Sequence, residues 1–102
     1  MVKILLICSS GISTSRIEEK MREFADKFNI DVEILAIGDS EKKEEIPSAD
    51  IILLGPQIRY TIDEVKRLSP GKIVKVMDAQ NFGLLRGDLI LKDALEGLGI
   101  LV

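Results

Sequence analysis

The chain opens on Val2-Lys3-Ile4-Leu5-Leu6-Ile7, a nearly continuous apolar run of the kind that forms a strand buried on both faces, and this strand is expected to end at Cys8. After the small-residue stretch Ser9-Ser10-Gly11-Ile12-Ser13, apolar residues recur at Ile17, Met21, Phe24 and Phe28. That one-sided spacing predicts an amphipathic helix. Ser13 is a candidate N-cap, while Ser15 with Glu18 matches a capping box, so the start is open by about a turn. Val32-Glu33-Ile34-Leu35-Ala36-Ile37 reads as a second strand, broken by Gly38-Asp39-Ser40. Residues 41–45 read as a solvated charge cluster with room for at most one helical turn before Pro47.

A third buried strand, Ile51-Ile52-Leu53-Leu54, is closed by Gly55-Pro56. Thr61 and Glu64 have capping-box spacing and open a short helix through Ile62, Val65 and Leu68. Pro70-Gly71 turns the chain into a fourth strand, Ile73-Val74-Lys75-Val76-Met77. A polar loop is expected from Asp78 to Gly83, then a closing helix marked by Ile90, Leu91, Ala94, Leu95 and Leu98 and ended by Gly97 and Gly99. Strands alternating with helices imply right-handed βαβ units and therefore a parallel sheet covered on both faces. The expected fold is α/β, a single domain spanning residues 1–102 with an open four-stranded parallel sheet in the order 2-1-3-4. It is flavodoxin-like, the architecture also of low-molecular-weight phosphatases.

Composition narrows the partners. Fourteen basic and seventeen acidic residues give a net charge of −3, interspersed in sign, which argues against nucleic acid. The apolar runs fall far short of the roughly 20 residues needed to cross a bilayer, and the N-terminus lacks a signal-peptide pattern. No membrane insertion, a cytoplasmic location and a monomer are therefore expected. One cysteine makes neither an internal disulfide nor, alone, a metal site, and no cofactor is called for. Histidine is absent, so any imidazole in the chemistry must come from a partner.

Cys8 is the candidate chemical centre. In an open parallel sheet the binding crevice lies beyond the carboxyl ends of the strands, and Cys8 occupies that rim. The small residues after it let backbone N–H groups converge on an anion, and the following helix adds its positive end. The same field favours a thiolate nucleophile. Ser9, Ser10, Ser13, Thr14 and Ser15 supply hydroxyls around a phosphoryl group, with Gly11 and Ile12 contributing backbone. The plain alternative is that Cys8 is a buried small hydrophobe ending a strand, and that the serines and glycine merely fill a turn.

A thiol-centred phosphate loop also invites comparison with low-molecular-weight tyrosine phosphatases and arsenate-reductase-like enzymes, whose signature is C-x5-R. Here the arginine position holds Thr14, and Arg16 stands two residues late, where its side chain is expected to point away from the anion. Without a guanidinium clamp, hydrolysis of a phosphoryl group is poorly assisted. The phosphatase family's late Asp-Pro pair is missing too, because Asp78 precedes Ala79. A carrier whose phosphocysteine must persist has the opposite need. A noncatalytic flavodoxin-like binding module is a third reading, weakened by only four aromatic residues.

The segment Lys3 through Ser15, Lys3-Ile4-Leu5-Leu6-Ile7-Cys8-Ser9-Ser10-Gly11-Ile12-Ser13-Thr14-Ser15, resembles the phosphorylation loop of enzyme IIB of the lactose/cellobiose (chitobiose) class of the bacterial phosphoenolpyruvate-dependent sugar phosphotransferase system. Asp50-Ile51-Ile52-Leu53-Leu54-Gly55-Pro56-Gln57-Ile58-Arg59-Tyr60 is similar to that family's third strand and following loop, and Met77-Asp78-Ala79-Gln80-Asn81-Phe82-Gly83 to its fourth strand exit. The stretch between Gly38 and Pro47 is shorter than the family's fuller second helix. The resemblance implies a phosphotransferase subunit in which Cys8 takes a phosphoryl group from a phosphohistidine of a IIA protein. It then passes the group to a sugar of the cellobiose, lactose or chitobiose class held by the IIC membrane permease. It further implies that Gln57, Tyr60, Asp78 and Gln80 line the site rim or the partner-docking surface. Their plain alternatives are packing for Tyr60, a solvated loop residue for Gln57 and turn hydrogen bonds for Asp78 and Gln80.

Overall fold

Four parallel strands form one sheet, in which the second strand lies at one edge beside the first, followed by the third and the fourth. The computed structural model describes residues 1–9 and 11–100, with the side chains of 11–14 excepted. The order along the chain is β1 (Val2–Cys8), α1 (Gly11–Lys27), β2 (Val32–Gly38), α2 (Lys42–Glu45), β3 (Ile51–Leu54), α3 (Ile62–Leu68), β4 (Ile73–Val76), α4 (Ala79–Gly83) and α5 (Gly87–Gly97). Short 3-10 turns at Asp39–Glu41 and Ile46–Ser48 flank α2, and Pro56–Thr61 leads into α3.

The two central strands read as unbroken apolar runs because both of their faces are covered. Alternation along β1 sends Ile4, Leu6 and Cys8 into a core with Ile17, Met21 and Ala25 of α1 and Leu91, Ala94 and Leu95 of α5. Leu5 and Ile7 point the other way, into a second core with Ile46, Ile52, Leu54, Ile58 and Val65. Register then places the thiol. β1 pairs with β2 from Val2↔Val32 to Cys8↔Gly38, whereas its pairing with β3 stops at Ile7↔Leu54. Cys8 therefore stands at the C-terminal rim, next to the point where β3 gives way to Gly55, whose N–H donates to the Ile7 carbonyl at 2.8 Å.

Several expectations need correction. α1 starts at Gly11, ahead of Ser13, so neither Ser13 nor the Ser15/Glu18 pair stands at the helix start. α1 also ends at Lys27, and Phe28 is 56% exposed, its ring tilted against that of Phe24 at 4.8 Å between centroids instead of facing the sheet. Thr61 does precede α3, but its hydroxyl donates back to the Ile58 carbonyl at 2.7 Å and makes no cap to the helix. Residues 78–83 are not a loop: the Asp78 carboxylate accepts the Asn81 N–H at 2.9 Å and starts α4. β4 ends at Val76, one residue before Met77.

The charge cluster around α2 is not wholly solvated either. Lys42 is buried, and its ammonium donates to Asp39 at 2.8 Å and to Glu64 of α3, tying the two segments together. Desolvation alone would pull its pKa down, but the hydrogen bonds and charges of Asp39 and Glu64 outweigh it and hold the ammonium above the ordinary lysine value. A raised lysine stabilises the fold fully below its unfolded pKa and ceases to do so as pH climbs through the folded one. Because both carboxylates are about half exposed, screening keeps the effect small. Lys42→Met should cost about 1 kcal/mol at neutral pH. In urea unfolding, the gap to the parent should close as pH rises past the lysine range; a gap constant to strongly alkaline pH would contradict it.

Candidate phosphoryl-acceptor site

The end of β1 turns the Cys8 side chain toward the α1/α5 face, where the thiol is 2% exposed and lies among Ile17, Met77 and Phe82. Its one described hydrogen bond leads outward, from Sγ to Oε1 of Gln57 at 3.9 Å. Gln57 is itself exposed, so among the described residues its carboxamide links the sulfur to the surface. Gln57 gets there because Pro56 opens the 3-10 turn directly after β3, on the strand beside β1.

Gly55 is the site residue that sequence reading passed over as a strand stop. A Cβ built there would overlap Cys8 Sγ and come to 3.0 Å of Gln57 Oε1. Its φ of −61° is open to any residue, so the glycine is required by the sulfur's proximity and not by the backbone. Only a strand-register argument placing Gly55 opposite Cys8 would have found it.

The other expected residues divide. Ser9 is exposed immediately after the thiol, and Ser15 is exposed on α1. Gly11, Ile12, Ser13 and Thr14 have their backbone in the first turns of α1, while their side chains, and Ser10 entirely, lie outside the described residues. Tyr60 is 80% exposed on the turn after β3. Asp78 caps α4 and lines a cavity of about 370 Å³ with Leu53, Met77, Asn81 and Asp93, beside the β4 edge. Gln80 is exposed on α4. The structure thus brings Gln57 to the thiol, and gives Asp78 a capping role and a different cavity.

A second cavity, of about 270 Å³, is bounded by Gln57, Arg16, Phe82, Gly83 and Leu85. Leu84, 64% exposed after α4, is a further large apolar side chain on a connection leaving the C-terminal rim. Among the described residues no group of histidine, cysteine, aspartate and glutamate could hold a metal ion. No described helix is long and apolar enough to cross a membrane.

Sheet order, two-faced core and a thiol at the exit of the first strand define a class, the small doubly wound α/β proteins with a cysteine at the ligand-binding rim. Residues 3–93 match the family model described as PTS system, Lactose/Cellobiose specific IIB subunit, and the chain belongs to that family. It is 37% identical over 98 residues to the oligo-beta-mannoside-specific EIIB component of Bacillus subtilis (strain 168), covering 94% of this chain and 95% of the relative. It is 33% identical to the galactose-specific EIIB component of Lactococcus lactis subsp. cremoris (strain MG1363), over 89% of this chain and 91% of that one. A lactose-specific EIICB component of Lactococcus lactis subsp. lactis matches 81% of the chain at 27% identity, within 15% of its own length. The lactose-specific IIB domain structure from Streptococcus pneumoniae superposes with a TM-score of 0.85 over 94% of this chain and 96% of that one; at 19% identity the likeness is one of fold.

Proposed function

We propose that Cys8 is the phosphoryl-carrying residue of this IIB subunit, receiving the group from a phosphohistidine of a IIA protein and passing it to a sugar bound by a IIC permease. The observation that carries this reading is the thiol at the C-terminal rim, joined outward to exposed Gln57. In the first transfer the sulfur attacks phosphorus and the P–N bond breaks with its electron pair on the imidazole. That nitrogen takes up the proton the thiol has lost. The N–H groups of the first turn of α1, at Gly11, Ile12 and Ser13, and the hydroxyls of Ser9, Ser10, Ser13, Thr14 and Ser15 receive the phosphoryl oxygens. Gln57 swings aside to admit the donor, which its exposure and long 3.9 Å bond to sulfur permit.

Tyr60 and Leu84, large and exposed on connections leaving the C-terminal ends of β3 and β4, supply apolar contact for the docking partners, with Gln57, Asp78 and Gln80 around them. The relative whose name joins IIC and IIB in one EIICB component supports the IIC partner. Relatives of comparable identity are named for different sugars, which supports placing the choice of sugar outside this chain. The test is intact-mass analysis after incubation with phosphoenolpyruvate and a reconstituted upstream relay. One phosphoryl group per chain is expected, with no steady phosphate release from an aryl phosphate. Sustained release would make the protein a phosphatase.

A further inference from the structure

Arg16 lies beyond any phosphate-loop position, on the second turn of α1, yet it borders the same 270 Å³ cavity as Gln57, whose Oε1 touches the Cys8 sulfur. The other described lining residues, Phe82, Gly83 and Leu85, bring no charge. Among the described residues Arg16 has no hydrogen-bond or ion-pair partner, whereas Arg22 pairs with Glu18, Arg86 with Asp88 and Lys75 with Asp93. An unpaired guanidinium on an otherwise uncharged cavity, one carboxamide from a nucleophile, is arranged to meet an anion there.

Resting on the reading of Cys8 as phosphoryl acceptor, we propose that Arg16 is a further catalytic residue, pairing with the non-bridging oxygens of the phosphoryl group while it crosses from the partner's imidazole to sulfur. Entering through the cavity, the group passes Arg16 as the Gln57 carboxamide turns away. The guanidinium offsets its negative charge as the thiolate approaches and phosphorus moves from nitrogen to sulfur. Two residues further along than the arginine of a phosphatase loop, it serves arrival at the mouth, leaving the formed phosphocysteine to the neutral donors of the loop. This reconciles an arginine near the site with a carrier that must resist hydrolysis.

The test compares the parent with Arg16→Gln and Arg16→Lys, using a phosphorylated IIA protein as donor and reading the rate of phosphoryl uptake by intact mass across donor concentrations. Arg16→Gln should lower the rate at saturating donor by about 10- to 100-fold, the loss of a charge-assisted hydrogen bond, and Arg16→Lys should recover a large part of it. Thermal unfolding and alkylation of Cys8 by neutral iodoacetamide should be unchanged, which a merely structural role would not ensure. An unchanged saturating rate, or a deficit that disappears at saturating donor, would overturn the proposal. If the parent itself acquires no phosphoryl group, it is the Cys8 assignment that has failed; if the parent is labelled and Arg16→Gln is labelled equally fast, only the role of Arg16 has.

Discussion

Cys8→Ala should leave a folded protein that takes up no phosphoryl group. The sulfur is the sole thiol in a chain without histidine, so neither of the side chains that ordinarily carry phosphorus on a nucleophilic S or N of this kind remains. Its removal is structurally mild. The side chain behaves as a small hydrophobe in a core otherwise held by Ile4, Leu6, Ile17 and Met21, and its loss should cost about 1 kcal/mol. The hydrogen-bond partner it abandons, Gln57 Oε1, belongs to an exposed residue and can turn to water, so no buried acceptor is stranded. Intact mass after the relay reaction should show the unmodified chain alone, while urea unfolding stays cooperative at a slightly lower midpoint. Label retained by the variant would move the acceptor to another residue.

The strands were legible because a doubly covered parallel sheet demands unbroken apolar runs, and Ile4-Leu5-Leu6-Ile7 and Ile51-Ile52-Leu53-Leu54 have no competing helical reading of useful length. The alternation of element types implied a parallel sheet with right-handed crossovers but is compatible with more than one strand order. Helix boundaries were harder, because they are set by local competition. Thr61 hydroxyl turns back to Ile58, and Glu64, the other half of the expected capping box, is taken by Lys42 from a segment 22 residues away. A partner at that distance leaves no trace in spacing, which is also why the buried Lys42 was read as solvated. Phe28 fits the helical period but falls past the last turn, just before Asn29 adopts a φ of 54°. For the site, the thiol's position at a strand exit was readable. The cavity joining Arg16 to Gln57 and the fit of Gly55 under the sulfur depend on side-chain placement across strands, which one-dimensional pattern does not encode.

That fit carries the other large expected effect. Gly55→Ala adds one methyl group where Cys8 Sγ already sits, and the sulfur must leave its position. The backbone at Gly55, φ −61° and ψ 145°, suits alanine, so the substitution by itself would stabilise by about 0.4–1 kcal/mol through the unfolded chain. Overlap in a packed core costs about 1–3 kcal/mol and should dominate, giving a net loss. A nucleophile displaced by about an ångström should also lose about 100-fold in the rate of phosphoryl uptake. The sulfur's part can be isolated by combining Gly55→Ala with Cys8→Ala. With Sγ gone, the nearest atoms left to the new methyl are Gln57 Oε1 on an exposed side chain and the Ile7 carbonyl at an ordinary 3.5 Å. In that background Gly55→Ala should be neutral or stabilising, a coupling of about 1–3 kcal/mol in a double-mutant cycle read by urea unfolding. Additive losses would mean that Gly55 is constrained by something other than the thiol, and the close seating of sulfur against the neighbouring strand would no longer explain why glycine stands there.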